Sequence, residues 1–176
     1  MYPENAVDFV VEQAERSTVI AVDGGAALRR FAAWADTLGP PAYAGPALKA
    51  RVLDEVKAVA ATLDVRAATG LPHGYDRQVL YEIPRRWSLA AIILRPGQET
   101  HPHDHGGWGC AVTVQGVERD RRFFQDAGGK LVLKSEREYP SGAGYTFDAD
   151  DIHQPFGADP NVVTVGIHFL VHGGEH

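Results

Sequence analysis

The chain has 176 residues, a net charge of −6 at pH 7 and one cysteine, with an isoelectric point near 5.7. This length suffices for one domain that buries its own core, and a lone cysteine excludes an intramolecular disulfide. The acidic balance argues against nucleic acid or an anionic membrane as partner. No apolar run approaches the roughly 20 residues of a membrane helix, and Met1-Tyr2-Pro3-Glu4-Asn5 carries no basic region ahead of an apolar stretch. The expectation is a cytoplasmic protein, a monomer or small homo-oligomer, acting on a small soluble molecule.

Residues 1–70 read as a helical layer of about three helices. Ala6, Val7, Val10, Val11 and Ala14 recur on one helical face, then Leu28, Phe31, Ala32 and Leu38, then Leu48, Val52, Val56, Val59 and Leu63. Gly39-Pro40-Pro41 separates the second from the third, because proline cannot continue a helix. After Pro72 the period becomes strand-like. Val79, Tyr81 and Ile83 alternate, Trp87 to Leu94 is a nearly continuous apolar run, and Val112/Val114 and Leu131/Leu133 alternate with polar or small neighbours. Glycines at 97, 106, 107, 128, 129, 142 and 144 punctuate these runs, and a long strand from Val162 to Val171 closes the series. The fold expected is mainly β: a double-stranded β-helix barrel over residues 75–172 with the helices packed on it, one domain spanning 1–176.

Within Gln98-Glu99-Thr100-His101-Pro102-His103-Asp104-His105, two histidines stand one residue apart. On a strand alternate side chains share a face, so His103 and His105 aim at a common point, and a third ligand must come from elsewhere. His153, read as lying in a polar turn, is the candidate. His101 shares the strand face, so 101/103 is a competing pair; His73, His172 and His176 read as loop or terminal residues.

Gly97, five residues, His103, one residue, His105, four residues, Cys110 and on to Gly116 resembles the first cupin motif, with Cys110 where most cupins carry a glutamate ligand. His153 falls where the second motif places its histidine, and Gly157 where that motif commonly has asparagine. The resemblance implies a metal site of three neutral imidazoles, a variant of the open facial site that binds non-haem Fe(II) and leaves positions for substrate and oxygen. Such a site stays near +2 and favours a thiolate.

Over residues 75 to 170 the chain resembles the cysteine dioxygenase family of thiol dioxygenases, which add both atoms of O2 to a thiol. Tyr75-Asp76-Arg77 matches that family's Tyr-x-Arg segment, and the spacing from Arg77 through Trp87 to His103 is kept without a gap. The resemblance implies Arg77 as clamp for a substrate carboxylate, which its planar fork suits; a strand-edge arginine with its head in water is the alternative. Tyr75 supports the same carboxylate or packs. No Lys or Arg follows Arg137, which favours a substrate held by Arg77 over an arrangement with a C-terminal arginine. The implied function is oxidation of a small thiol carboxylate, cysteine or a related mercapto acid, to its sulfinate.

The chain also departs from the family. A Ser-x-His-x-Tyr triad near the metal is reduced here to Gly166-Ile167-His168-Phe169-Leu170. His168 is then a hydrogen-bonding group behind the site or a satisfied barrel histidine. Cys110, in register with the cysteine that animal-type members link to tyrosine, has lost its partner to Leu170 and reads as an inert core thiol; Tyr145 or Tyr81 is a candidate replacement for the missing hydroxyl. Glu99, Asp104 and Asp148 read as solvated loop charges, with Asp104 an alternative orienter of an imidazole. Trp108 and Phe156 either pack or recognise substrate. Rival functions are a cupin metalloprotein with different oxygen chemistry, a non-catalytic metal or ligand binder, and a zinc or nickel occupant.

Overall fold

A computed structural model describes residues 18–38 and 44–172. The expected first helix, with Ala6, Val7, Val10, Val11 and Ala14, and the Gly39-Pro40-Pro41 break lie outside the described residues. Within them two helices form, α1 (Ala26–Asp36) and α2 (Pro46–Ala60). Pro46 opens α2, where its missing N–H costs nothing and its fixed φ suits the first turn. The expected layer is not purely helical, because β1 (Ile20–Ala21) and β2 (Leu63–Asp64) pair antiparallel across it.

The rest is β, in two antiparallel sheets. Strands β3 (Asp76–Ile83), β4 (Trp87–Leu94), β5 (Gly109–Gln115), β8 (Gly144–Phe147) and β10 (Thr164–Val171) form one sheet in the order β3-β4-β10-β5-β8. Strands β6 (Val117–Gln125), β7 (Leu131–Pro140) and β9 (Ile152–Gly157) form the second in the order β7-β6-β9. Side chains of the two sheets meet between them, and two isolated bridges, Glu99 to Phe156 and His103 to His153, tie the segment before β5 to β9. No helix of the described residues is long and apolar enough to cross a membrane.

The main core lies on the helix side of the five-stranded sheet. Phe169 is fully buried with its ring 5.5 Å from Phe31, 5.6 Å from Trp87 and 6.0 Å from Trp108. Val52 and Val56 of α2 and Cys110 of β5 complete it. Covered on one face by helices and on the other by the opposite sheet, β4 is buried along its whole length, which is why its sequence reads as an apolar run broken only by Ser88.

The three-stranded sheet follows the opposite rule. Its outer face carries a charged ladder, with Arg119 2.6 Å from Glu138 and Arg121 2.8 Å from Glu136, and both guanidinium groups lie over Phe156. Its inner face carries Glu118 and Asp120, both buried, and half-buried Arg122. A strand charged on both faces gives no apolar alternation, so β6 escapes a pattern-based reading. Leu131 and Leu133, read as strand-like alternation, do lie on a strand, β7, with both side chains exposed.

Candidate metal centre

His103, His105 and His153 converge, each offering one ring nitrogen, and those atoms all lie within 4.8 Å of one another. The route differs from the strand-face reading. Only His103 pairs, bridging antiparallel to His153 through two reciprocal backbone hydrogen bonds of 2.9 Å, while His105 has left the ladder on its way into β5. His153 is not in a turn: it is the second residue of β9 and fully buried. His101 is exposed and stays outside the group, but its carbonyl accepts a 2.7 Å hydrogen bond from Nδ1 of His103.

That bond and a second one fix the rings. His153 donates from Nδ1 to Oδ1 of Asp120 at 2.9 Å, so His103 and His153 each carry their proton on Nδ1 and keep Nε2 as the lone-pair nitrogen. Nε2 of His153 stands 2.9 Å from Nε2 of His105. Two neighbouring ligands about 2.1 Å from a metal and at right angles are separated by roughly 3 Å, so this spacing suits adjacent positions on one ion. Burial, reinforced by the neighbouring imidazoles and Arg77, lowers the pKa of His105 to about 3, and burial also lowers that of His103. Both are therefore neutral near pH 7, the form a metal requires.

No carboxylate among the described residues joins the three nitrogens. Asp104, between the ligands, is exposed; orientation comes from Asp120 instead, with its second oxygen 2.9 Å from Nε of Arg122. Burial pushes the Asp120 carboxyl up, but hydrogen bonds and charge from His153 and Arg122 hold it below the usual carboxylate range. Glu99 pairs with Arg121 and Asp148 with Lys49, so neither is a purely solvated charge.

A cavity of about 210 Å³ opens beside the histidines, lined by His103 and His105, by Tyr75, Arg77 and His168, and by an apolar wall that includes Ile92, Phe147, Pro155 and Leu170. Arg77 sits on β3 with its head exposed. Its single hydrogen bond is a long 3.5 Å contact to the Ser88 hydroxyl, and no carboxylate among the described residues pairs with it. Tyr75 is 42 % exposed at the same mouth. A larger cavity of about 710 Å³ lies elsewhere, under α2 against β6 and β7, and includes none of the three histidines.

Several open readings resolve. Cys110 belongs to the helix-side core with Phe169, whereas its neighbour Ala111 clusters with Tyr145 and Phe147 between the sheets, so the thiol faces away from the metal centre; burial raises its pKa. Trp108 packs in the same core and Phe156 lies on the outer face under two arginines, so neither lines the cavity. Gln154 is buried and donates to the Thr100 carbonyl. Tyr81 stacks on Trp87 in the core. Tyr145 does reach inward: its hydroxyl donates to Oε1 of Glu118 at 2.7 Å. At Gly157 a Cβ would lie 2.8 Å from the Arg95 carbonyl, which explains why no side chain stands there.

Sequence reasoning missed Glu118 and Asp120. The signal available was acidic residues two apart in Val117-Glu118-Arg119-Asp120-Arg121, directly after Gly116, whose φ of +73° turns β5 into β6.

No protein-family model matches the chain. Among solved structures, the TT1209 protein of Thermus thermophilus is similar with a TM-score of 0.50 at 14% identity, over 60% of this chain and 90% of that one. At that identity the likeness concerns the fold alone. A cupin superfamily protein from Desulfitobacterium hafniense DCB-2 aligns with a TM-score of 0.47 at 10% identity over 60% of this chain and 84% of its own. An oxalate oxidase aligns with a TM-score of 0.47 at 16% identity over 58% of this chain; the match spans about half of that enzyme's length, 53%.

Proposed function

We propose that the protein is a cupin-type non-haem iron(II) thiol dioxygenase that oxidises a small thiol carboxylate, cysteine or a related mercapto acid, to its sulfinate. The observation that carries the reading is one small cavity lined both by His103 and His105, two members of a three-histidine cluster without a carboxylate, and by a guanidinium free of any acidic partner among the described residues. The resemblance of Tyr75-Asp76-Arg77 to the cysteine dioxygenase segment adds to it.

In the overall reaction a thiol and O2 give a sulfinate and a proton; sulfur loses four electrons and the two oxygen atoms gain them. His103, His105 and His153 would hold the iron. Bound iron(II) supplies the one-electron chemistry that lets dioxygen react with a thiol, and its positive charge favours the thiolate. The chain's own groups place the substrate. Arg77 binds the carboxylate with two charge-assisted hydrogen bonds, and Tyr75 adds a hydroxyl at the same mouth. The wall of Ile92, Phe147, Pro155 and Leu170 excludes water from the sulfur. Asp120 keeps the His153 ring in the ligating tautomer.

The test is oxygen uptake by iron(II)-loaded protein against cysteine, 3-mercaptopropionate, mercaptosuccinate, cysteamine and buffer, with products identified by mass. Uptake with a product two oxygens heavier than a carboxylated thiol supports the reading and ranks its substrates. Bound iron without uptake on any thiol rejects it in favour of a binding protein or other oxygen chemistry.

A further inference from the structure

Glu118 is a fully buried carboxylate that the proposed reaction does not use. Both of its oxygens are engaged: Oε1 accepts from the Tyr145 hydroxyl at 2.7 Å, and Oε2 stands 3.2 Å from Nε2 of His168. Burial pushes this carboxyl up, but the His168 ring and the hydrogen bonds from His168 and Tyr145 outweigh it and hold the group below its ordinary range. A charge sealed from water is retained only where its partners are well placed. His168 is the member of this group that lines the cavity. Its other ring nitrogen makes no hydrogen bond to any described residue.

Gly166, two residues before His168 on the same face of β10, completes the arrangement. A Cβ at this position would lie 2.2 Å from Oε2 of Glu118 and 2.9 Å from Nε2 of His168. Any side chain at 166 therefore forces the carboxylate or the imidazole out of this position. The polar groups around His168 thus come from other strands, Glu118 from β6 and Tyr145 from β8.

We propose that Glu118, anchored by Tyr145, is the positioning residue that fixes His168 as a hydrogen-bonding group of the substrate pocket, and that Gly166 is glycine to make room for it. Tyr145 orients the carboxylate, the carboxylate accepts a hydrogen bond from Nε2–H of His168, and the second ring nitrogen is left to meet the substrate beside the three ligands. The pocket role of His168 rests on the thiol dioxygenase reading; the buried relay does not.

The relay is tested without turnover. In zinc-loaded, and so diamagnetic, protein, nitrogen-detected NMR of the imidazoles is expected to show His168 protonated at Nε2, with this signal displaced in Glu118→Gln and in Tyr145→Phe. Either variant suffices if the other does not fold. An unchanged His168 signal in a folded variant overturns the relay. Gly166→Ser is expected to lower the melting temperature, and the pair Glu118→Ala with Gly166→Ser to regain most of that loss; a Gly166→Ser protein as stable as the parent refutes the packing argument. With iron and the best thiol of the uptake panel, Glu118→Gln is expected to lower kcat roughly tenfold or more at unchanged metal content. Full kcat with a displaced His168 signal removes His168 from the pocket chemistry.

Discussion

Asp120→Asn asks whether the buried carboxylate behind His153 sets metal affinity. Asp120 serves two donors with two oxygens, Nδ1 of His153 and Nε of Arg122, each at 2.9 Å. Asparagine keeps the shape but has one oxygen, so its amide N–H group must face one of those donors. Arg122 has other partners, Asp151 at 3.0 Å and the Thr146 carbonyl at 2.7 Å, and tolerates the loss. His153 has no alternative for Nδ1 among the described residues and is fully buried, so the amide oxygen stays on its Nδ1–H, the amide N–H group turns to Arg122, and the imidazole leans on a neutral acceptor in place of a charged one. Mutating such a partner typically lowers metal affinity by about 10- to 100-fold, or roughly 1.4 to 2.8 kcal/mol. Anaerobic competition of iron(II) against a chromophoric chelator, read beside circular dichroism to confirm folding, measures the change. A folded Asp120→Asn protein that holds iron as tightly as the parent would refute the assignment of Asp120 as the group that prepares His153.

Arg77→Ala is expected to raise KM for carboxylated thiols roughly 10- to 100-fold while leaving cysteamine, which lacks the carboxylate, and the iron content unchanged; an equal effect on both thiols would make Arg77 structural. Cys110 is buried in the core and its pKa is raised, so a disulfide-exchange reagent should label it only on the timescale of unfolding, and the intact mass should show no link to tyrosine. Rapid labelling of the native protein would contradict the packing. Glu118 and Asp120 both have carboxyl pKa values held below the ordinary range. Their contribution is thus fully present above about pH 4 and is lost as pH falls through the depressed values. The melting temperature of the metal-free protein should drop steeply below about pH 4, and less steeply in Glu118→Gln.

Where packing follows a simple period, the sequence reveals the structure. The helical faces of Phe31 and Val52, the apolar run of β4 and the long last strand are all legible, because each buries one face or two against apolar neighbours. The histidine cluster is legible as residue types and spacing, but not as geometry: His105 reaches the centre from irregular chain rather than from a strand face. The supporting carboxylates are legible only as two acidic residues two apart after Gly116, not as buried groups. Glu118 and Asp120 alternate with Arg119 and Arg121, and nothing local distinguishes the pair sealed inside from the pair in the outer ladder. Only the opposite sheet, by placing Tyr145 and His168 over Glu118, makes that difference. Cys110 is kept from the metal centre by the face of β5 it occupies, in the helix-side core, rather than by its position along the chain.

The reciprocal bridge between His103 and His153 also bears on the order of assembly. His105 and His153 are 48 residues apart in sequence, and the full ligand set exists only after β9 has docked beside β6. Closing a loop of that length is among the slower events of folding. A newly made chain offers a passing ion only the histidines of one local segment, His101, His103 and His105, without His153. A divalent ion would meet only that incomplete grip until the sheets close, so the three-histidine set exists as a site only in the folded protein.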